Sequence, residues 1–103
     1  MSNKNKILVK VHESYRKVVA ISDAELLGKH FKQGNLQLDV NKHFYEGQEM
    51  TEEEVVKLIK ALEKDSPSYN ILGQRAIALC IKENLIQEQG IKKISGIPHA
   101  MVF

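Results

Sequence analysis

The segment from Ser95 to Ala100 combines a glycine, a proline and a histidine: Gly96, Pro98 and His99. Glycine allows a positive φ or a close backbone approach and proline fixes φ, so this loop would hold the histidine in one direction. Histidine changes its charge near neutral pH, which suits a ligand-binding group. The simpler interpretation is that His99 closes the last strand and hydrogen-bonds to a backbone carbonyl. Both interpretations stay open on sequence alone.

A second candidate is the segment Asn70-Ile71-Leu72-Gly73-Gln74-Arg75, at the expected start of a helix. Asn70 is a suitable N-cap residue, and Gly73 would leave the first-turn backbone N–H groups accessible. Such a helix start, with Arg75 beside it, can bind a phosphate or a carboxylate. The alternative is a capped helix whose Gly73 lets another element pack closely. No glycine-rich phosphate loop or dinucleotide-binding pattern accompanies the segment.

We expect these two segments to meet in space. The strand after the helix has to return beneath it toward the helix start, so the loop Gly96–Ala100 would arrive near Asn70. The hypothesis is one anion-receptive concavity, in which the helix dipole, Arg75 and a protonated His99 favour the same sign of charge. The alternative is that Asn70 and Gly73 only lock the last loop onto the rest of the protein.

The segment from His12 to Arg16 contains a histidine, a carboxylate and a hydroxyl in sequence. Adjacent residues of an extended chain point to opposite sides, so these groups cannot form a nucleophile–base relay among themselves. The segment is therefore either one rim of a site, with His12 as the candidate residue, or a solvated hairpin loop.

A metal site is not expected. The four histidines, at positions 12, 30, 43 and 99, and the single cysteine, Cys80, show none of the spacings typical of metal ligands. Lysines flank His30 and His43, and their charges oppose a cation. Cys80 falls on the inward face of a predicted helix and is best interpreted as a small buried apolar residue. We expect no cofactor.

Lysines and aromatic residues are interleaved in the middle of the chain. These residues are Lys29, Phe31, Lys32, Lys42, Phe44 and Tyr45. Bases of RNA stack on aromatic rings while lysines contact phosphates, so the three lysines and Tyr45 are candidate nucleic-acid contacts. Against this, Glu52 to Glu54 offset the positive charge, and Phe31 and Phe44 suit a core equally well. No sequence signature of a known RNA-binding module supports the idea.

The composition indicates one small domain. The chain has 103 residues, 43% of them hydrophobic, and its net charge of +2 is too small to require a nucleic acid or a membrane as partner. One cysteine cannot form an internal disulfide, which favours a reducing compartment, the cytoplasm. No apolar run approaches the ~18 residues of a membrane helix, and residues 1–6 resemble no signal peptide. We expect a single domain over residues 1–103 with an ordered core of about 6–100.

The pattern of apolar residues predicts the elements that would position these candidates. Alternation and β-branched residues indicate five strands: Ile7–Val11, Lys17–Ile21, Leu36–Val40, Ile91–Ile94 and Ile97–Val102. A short helical turn is expected over Ala24–Leu27, a turn at Gly34-Asn35, and a loop over Phe44–Gly47.

Two main helices are predicted between these strands. Thr51 and Glu54 form a capping box, and an apolar stripe follows it: Val55, Leu58, Ile59 and Leu62. Pro67 ends this helix, and a second helix is predicted over about Leu72–Asn84, with Ala76, Ile77, Cys80 and Ile81 facing inward. The predicted fold class is α+β, a small, mainly antiparallel sheet with both main helices packed on one face.

Several strings in this order resemble a known family. They are Val11-His12-Glu13-Ser14-Tyr15, Glu25-Leu26-Leu27-Gly28-Lys29, Leu38-Asp39-Val40, Phe44-Tyr45-Glu46-Gly47, Asn70-Ile71-Leu72-Gly73 with Arg75-Ala76, and Gly96-Ile97-Pro98-His99-Ala100. Together they resemble the archaeal domain-of-unknown-function family DUF424, over Lys6 to Ala100. The chain departs from the family pattern in its apolar end, Met101-Val102-Phe103, where a polar residue is expected after Ala100.

The resemblance implies a single-domain, cytoplasmic, archaeal protein with no established activity, cofactor or catalytic residue. It also implies a role linked to RNA or the ribosome, because genes of the family lie among genes of translation and ribosome maturation. The first hypothesis is thus a non-catalytic binding module in archaeal translation that contacts RNA or a ribonucleoprotein and no membrane. The alternative is a small ligand-binding protein or enzyme that binds an anionic group through Asn70, Gly73, Arg75 and His99. A closed pocket between the helix start and the His99 loop would favour the alternative.

Overall fold

The computed structural model describes residues 6–103, which form a six-stranded sheet and a separate two-stranded hairpin. The strands are β1 Ile7–His12, β2 Val18–Asp23, β3 His30–Gln33, β4 Leu36–Asp39, β5 Gln48–Met50, β6 Ser68–Leu72, β7 Lys92–Ile94 and β8 Ile97–Val102. The helices are α1 Lys42–Tyr45, α2 Glu52–Leu62 and α3 Gln74–Lys82. Short 3₁₀ turns cover Ala24–Leu26, Glu63–Asp65 and Glu88–Gly90. The prediction about a signal peptide concerns residues 1–6, of which 1–5 lie outside the described residues.

The large sheet has the strand order β5-β1-β2-β6-β8-β7. Its neighbours are antiparallel except β2 and β6, which run parallel with Ile21 opposite Ile71. A parallel pair needs a long crossover, and here the hairpin β3–β4, α1, β5 and α2 all lie between the two strands in sequence. The predicted mainly antiparallel α+β sheet is confirmed.

The two faces of the large sheet carry different layers. On one face α2 and α3 bury a core with strand residues that include Val19, Ile21 and Ile71. On the other face the hairpin and α1 bury a second core with Ala20 and Leu72. The two cores alternate along β2 and β6 because successive side chains of a strand point to opposite faces. Both main helices therefore share one face, as predicted.

Helix α2 begins and ends where the sequence indicates. The Thr51 hydroxyl accepts a hydrogen bond from the Glu54 N–H at 3.2 Å, and the Glu54 carboxylate accepts one from the Thr51 N–H at 2.8 Å. These reciprocal bonds satisfy two backbone donors that a helix start leaves unpaired. After the Glu63–Asp65 turn, Ser66 takes a left-handed φ of 44° and Pro67 follows. None of the helices within residues 6–103 is both long and apolar enough to cross a membrane.

Several elements differ from the sequence prediction. The predicted N-cap Asn70 is wrong: the residue lies inside strand β6, and α3 begins only at Gln74, after Gly73. Strand β6 is fixed by pairing with β2 and β8, which are distant in sequence. The predicted loop Phe44–Gly47 is partly helix α1, whose start is capped by Asn41. Strand β3 pairs with β4 around the predicted Gly34-Asn35 turn.

Candidate nucleic-acid interface

The start of α3 and the Gly96–Ala100 segment are adjacent. The Gly73 N–H donates a hydrogen bond to the Pro98 carbonyl at 3.0 Å, and Leu72 lies opposite His99 in the pairing of β6 with β8. The two predicted segments therefore come together through their backbones. His99 does not face the helix start, because Ala100 packs in the core beneath the helices and His99, one position earlier, faces the opposite side of the sheet, which it shares with Asn70.

The first turn of α3 is already bound by a carboxylate of this chain. Asp23, at the end of β2, accepts hydrogen bonds from the Arg75 N–H at 3.1 Å and the Ala76 N–H at 2.8 Å. A β-carbon at position 73 would lie 2.4 Å from the Asp23 γ-carbon, so only glycine leaves room for this cap. The Arg75 and Ala76 N–H groups, which the sequence suggested for binding an external anion, are therefore already bound by Asp23.

The charges around this helix start also disfavour an anion. The Arg75 guanidinium forms an ion pair with Glu25. A cavity of about 240 Å³ at this position is lined by both carboxylates, Asp23 and Glu25, beside Arg75. Burial raises the pKa of Asp23, and this effect exceeds the opposing effect of its two backbone hydrogen bonds and of Arg75. The segment is therefore a structural junction in which the Gly73, Arg75 and Ala76 N–H groups have internal partners.

His99 lies in a setting that favours its neutral form. The residue is half-buried in β8, and Lys92 lies opposite it on β7. Burial lowers the pKa of His99, and the charge of Lys92 lowers it further. The protonated His99 that the anion hypothesis requires is thus disfavoured by its own surroundings.

Exposed lysines gather on the face of the sheet opposite α2 and α3. We call the set Lys29, Lys32, Lys42 and Lys92 the basic face. The Lys42 side chain passes over Gly28, the residue that precedes Lys29 in the chain. Lys92 belongs to the same side because Ile94, two positions later in β7, packs in the core under the hairpin.

The tip of the hairpin is attached to the turn between β7 and β8. The Ser95 N–H donates a hydrogen bond to the Gln33 side chain at 2.7 Å, and the Ser95 hydroxyl donates one to the Lys32 carbonyl. This attachment joins Lys32 of the hairpin to the strand that carries Lys92. The structure therefore brings the three lysines predicted from sequence onto one side with a fourth, Lys92.

The basic face has almost no acidic neighbours in sequence. Residues 28–45 and 91–99 together contain five lysines, three histidines and one acidic residue, Asp39. In contrast, residues 52–65 of α2 and its following turn contain five acidic residues and three lysines. The two ion pairs found within residues 6–103, Lys17–Asp65 and Arg75–Glu25, involve none of the basic-face lysines. The positive charge of this face is therefore available to a partner.

Tyr45 cannot serve as the predicted stacking surface for a base. Helix α1 folds onto the sheet and leaves Tyr45 only 6% exposed, within the core under the hairpin. Burial also raises the pKa of Tyr45 to about 12, so the phenol stays neutral. Tyr45 is therefore a core residue and not a nucleic-acid contact.

A different aromatic group is accessible beside α1. The ring of His12 stacks on that of Phe44, with centroids 4.5 Å apart and an interplanar angle of 17°. The His12 Nε2 atom lies 2.9 Å from the Phe44 carbonyl oxygen, which can only accept, so Nε2 carries the hydrogen. Both rings line an open cavity of about 520 Å³ together with Asp39, Asn41, His43 and Tyr45. His12 therefore lines a cavity, whereas the rest of its segment, Glu13 to Arg16, is exposed.

The chain is similar to a protein family and to a solved structure. The sequence model of a family described as "Protein of unknown function (DUF424)" matches residues 11–103. The chain belongs to the DUF424 family. The crystal structure of an uncharacterized conserved protein from Methanopyrus kandleri is similar, with a TM-score of 0.83 and 26% sequence identity, over 94% of this chain and 90% of that chain. No curated protein matches the chain.

This DUF424 chain contains features that sequence analysis missed. The Asp23 carboxylate, at the end of β2, caps α3, a role that the residues around Asp23 do not indicate. Its partner Gly73 was the only local signal, because a glycine at a helix start indicates close approach of another group. The His12–Phe44 stack joins residues 32 positions apart and has no local signal.

No metal-binding cluster is found within residues 6–103, where no three side chains of His, Cys, Asp or Glu lie close enough to hold an ion. Cys80 is fully buried on α3, and burial raises the pKa of its thiol to about 12. The thiol is therefore an uncharged core group, as its position on the inward side of the helix indicated.

Proposed function

We propose that this DUF424 protein is a non-catalytic module that binds RNA through its basic face. The observation that supports the proposal is the separation of charge across the sheet. Lys29, Lys32, Lys42 and Lys92 lie on one side, and the segments that carry them, residues 28–45 and 91–99, contain a single acidic residue, while acidic residues predominate along α2. The alternative, an anion site at the start of α3, is disfavoured because Asp23 already accepts hydrogen bonds from the Arg75 and Ala76 N–H groups.

Lysines of this kind bind phosphates through counterion release. Each lysine that neutralises a phosphate frees a condensed cation, and binding weakens as salt concentration rises. The four lysines are exposed, and hydrogen bonds join the elements that carry them. Lys32 in β3 and Lys92 in β7 are linked through the Ser95–Gln33 bond, while Lys29 directly precedes β3 and bonds through its carbonyl to Val40, two residues before Lys42 of α1. Their positions are thus fixed relative to one another, which lowers the ordering cost of binding.

Single-stranded or looped RNA fits this surface better than a duplex. The half-buried rings of His12 and Phe44 lie beside the basic face, and unpaired bases stack on such rings. A duplex keeps its bases stacked internally and would use the lysines alone. The proposed ligand is therefore an RNA with unpaired nucleotides.

The cellular setting follows from the same proposal. A cytoplasmic location is supported by the single cysteine, a buried thiol that needs no oxidising compartment. A role beside the ribosome in archaeal translation, as the family resemblance implies, is compatible with an RNA-binding face. Co-sedimentation with ribosomal subunits in a salt series tests that role, and a protein found only in free fractions at low salt would contradict it.

The proposal is tested by fluorescence anisotropy with a labelled 15-nucleotide single-stranded RNA at low salt. Replacing Lys29, Lys32 and Lys42 together by glutamine should weaken binding about tenfold or more, because three phosphate contacts are lost. The matched control replaces Lys57, Lys60 and Lys64, on α2 and the following turn, and changes the net charge equally. Equal losses in both variants would contradict a localised binding face.

A further inference from the structure

The cavity beside α1 contains hydrogen-bonding groups arranged between two ring systems. Asp39 and Asn41 flank Val40, which is fully buried, so the two polar side chains point outward together. Both line the cavity with the stacked rings of His12 and Phe44. Its volume of about 520 Å³ lies within the range of small-ligand sites.

The hydrogen-bonding capacity of these groups is partly used and partly free. The Asn41 side-chain oxygen accepts from the His43 N–H at 2.7 Å, which leaves its NH₂ group to donate outward. Asp39 is exposed at the end of β4 and presents a carboxylate that only accepts. The cavity therefore offers one pair of acceptor oxygens beside one donor.

This pattern matches one nucleobase. Guanine carries two adjacent donors on its Watson–Crick edge, N1–H and the exocyclic N2 amine, with the O6 acceptor beside them. Adenine and cytosine place a lone pair next to their amine, which a carboxylate would repel, and uracil has a single donor. Proteins identify unpaired bases by hydrogen bonds to this edge and by stacking on aromatic rings.

We propose that the cavity binds one unpaired guanine of the RNA, an inference that rests on the proposed function. The base extends the His12–Phe44 stack, the Asp39 carboxylate accepts from N1–H and N2–H, and the Asn41 amide donates to O6. Lys29 and Lys42 hold the flanking phosphates, since the Lys29 carbonyl accepts from the Val40 N–H at 2.9 Å and Lys42 follows Asn41. In this arrangement Asp39, whose negative charge weakens phosphate binding, contributes to recognition of the base.

The experiment compares four labelled heptaribonucleotides: seven uridines, and uridine chains with a central guanosine, adenosine or inosine. The guanosine heptamer should bind about 5- to 150-fold more tightly than the adenosine heptamer, the discrimination that a good bidentate contact provides. Inosine lacks the N2 amine and should bind with intermediate affinity. This comparison uses the protein without any substitution, so its outcome does not depend on whether a variant folds.

The second part of the experiment repeats these measurements with the variant Asp39→Asn. This substitution should remove the guanosine preference and leave binding of the all-uridine chain equal or tighter, because a negative charge is lost. As the control, Lys32→Gln should weaken all four oligonucleotides by the same factor. Salt-dependent binding without base preference would overturn the guanine site and leave the proposed function standing. A preference that survives Asp39→Asn would also overturn it, and no binding of any oligonucleotide would overturn both proposals.

Discussion

Replacing Gly73 by alanine should destabilise the protein strongly, because of both the backbone and the neighbouring side chain at this position. Gly73 has φ 102° and ψ 157°, a region that is essentially restricted to glycine. An alanine there costs about 1–3 kcal/mol in backbone strain. The new β-carbon would also lie 2.6 Å from an Asp23 carboxylate oxygen, so that the Asp23 side chain has to move.

Displacing Asp23 adds a second cost. Its carboxylate accepts from the Arg75 and Ala76 N–H groups, and a hydrogen bond to a charged group contributes about 1.5–3 kcal/mol. Losing one of the two bonds and adding the backbone strain gives a loss of about 2.5–6 kcal/mol. This is a large fraction of the ~5–15 kcal/mol by which a domain is stable.

The assay is urea denaturation followed by circular dichroism, with Gly96→Ala as the matched control. Gly96 also has a positive φ, 79°, but no heavy atom lies within 4 Å of its hypothetical β-carbon. Its substitution should cost only about 1–2 kcal/mol, the backbone contribution. If the two variants lose the same amount of stability, Asp23 is not the cap that holds α3, and the reasoning is refuted.

Three further predictions concern single residues. Thr51→Ala removes one half of the capping box and should lower the free energy of unfolding by about 1 kcal/mol; an unchanged denaturation midpoint would show that the cap contributes nothing. The pKa of His99 is lowered below 6.5 in the folded state, so the unfolded chain binds the proton more readily and stability should fall as pH drops through 6.5. His99→Gln should reduce this pH dependence, measured from denaturation midpoints at pH 7.5 and 5.5, and an unaltered dependence would contradict it. The Cys80 thiol, with its pKa raised to about 12, should react with a thiol reagent at pH 8 only after unfolding, and rapid reaction of the native protein would be inconsistent with its burial.

Elements with local signals were predicted well. Strand β1 follows from alternating residues, and the bounds of α2 follow from its capping box and from Pro67. Strand β8 covers the predicted residues Ile97–Val102. In each case the information lies within a few neighbouring residues, as periodicity and capping require.

Features that depend on distant residues were missed. Strand β6 forms through pairing with β2 and β8, and its sequence alone suggested the start of a helix. The roles of Gly73 and Asp23 are defined by contacts across about fifty positions of the chain. Tyr45, a candidate nucleic-acid contact, is buried because α1 folds onto the sheet, and no local sequence pattern shows this packing. Tertiary packing, which short sequence patterns do not contain, decides such positions.

The most direct test of the central claim is the salt dependence of RNA affinity. The logarithm of the binding constant should fall linearly with the logarithm of salt concentration, with a slope of about −0.7 per phosphate contact on a single strand. Four basic-face lysines predict a slope near −3 for the natural protein, and glutamine at Lys29, Lys32 and Lys42 should reduce its magnitude by about 2. A slope that those three substitutions leave unchanged, or affinity that ignores salt, would contradict the account.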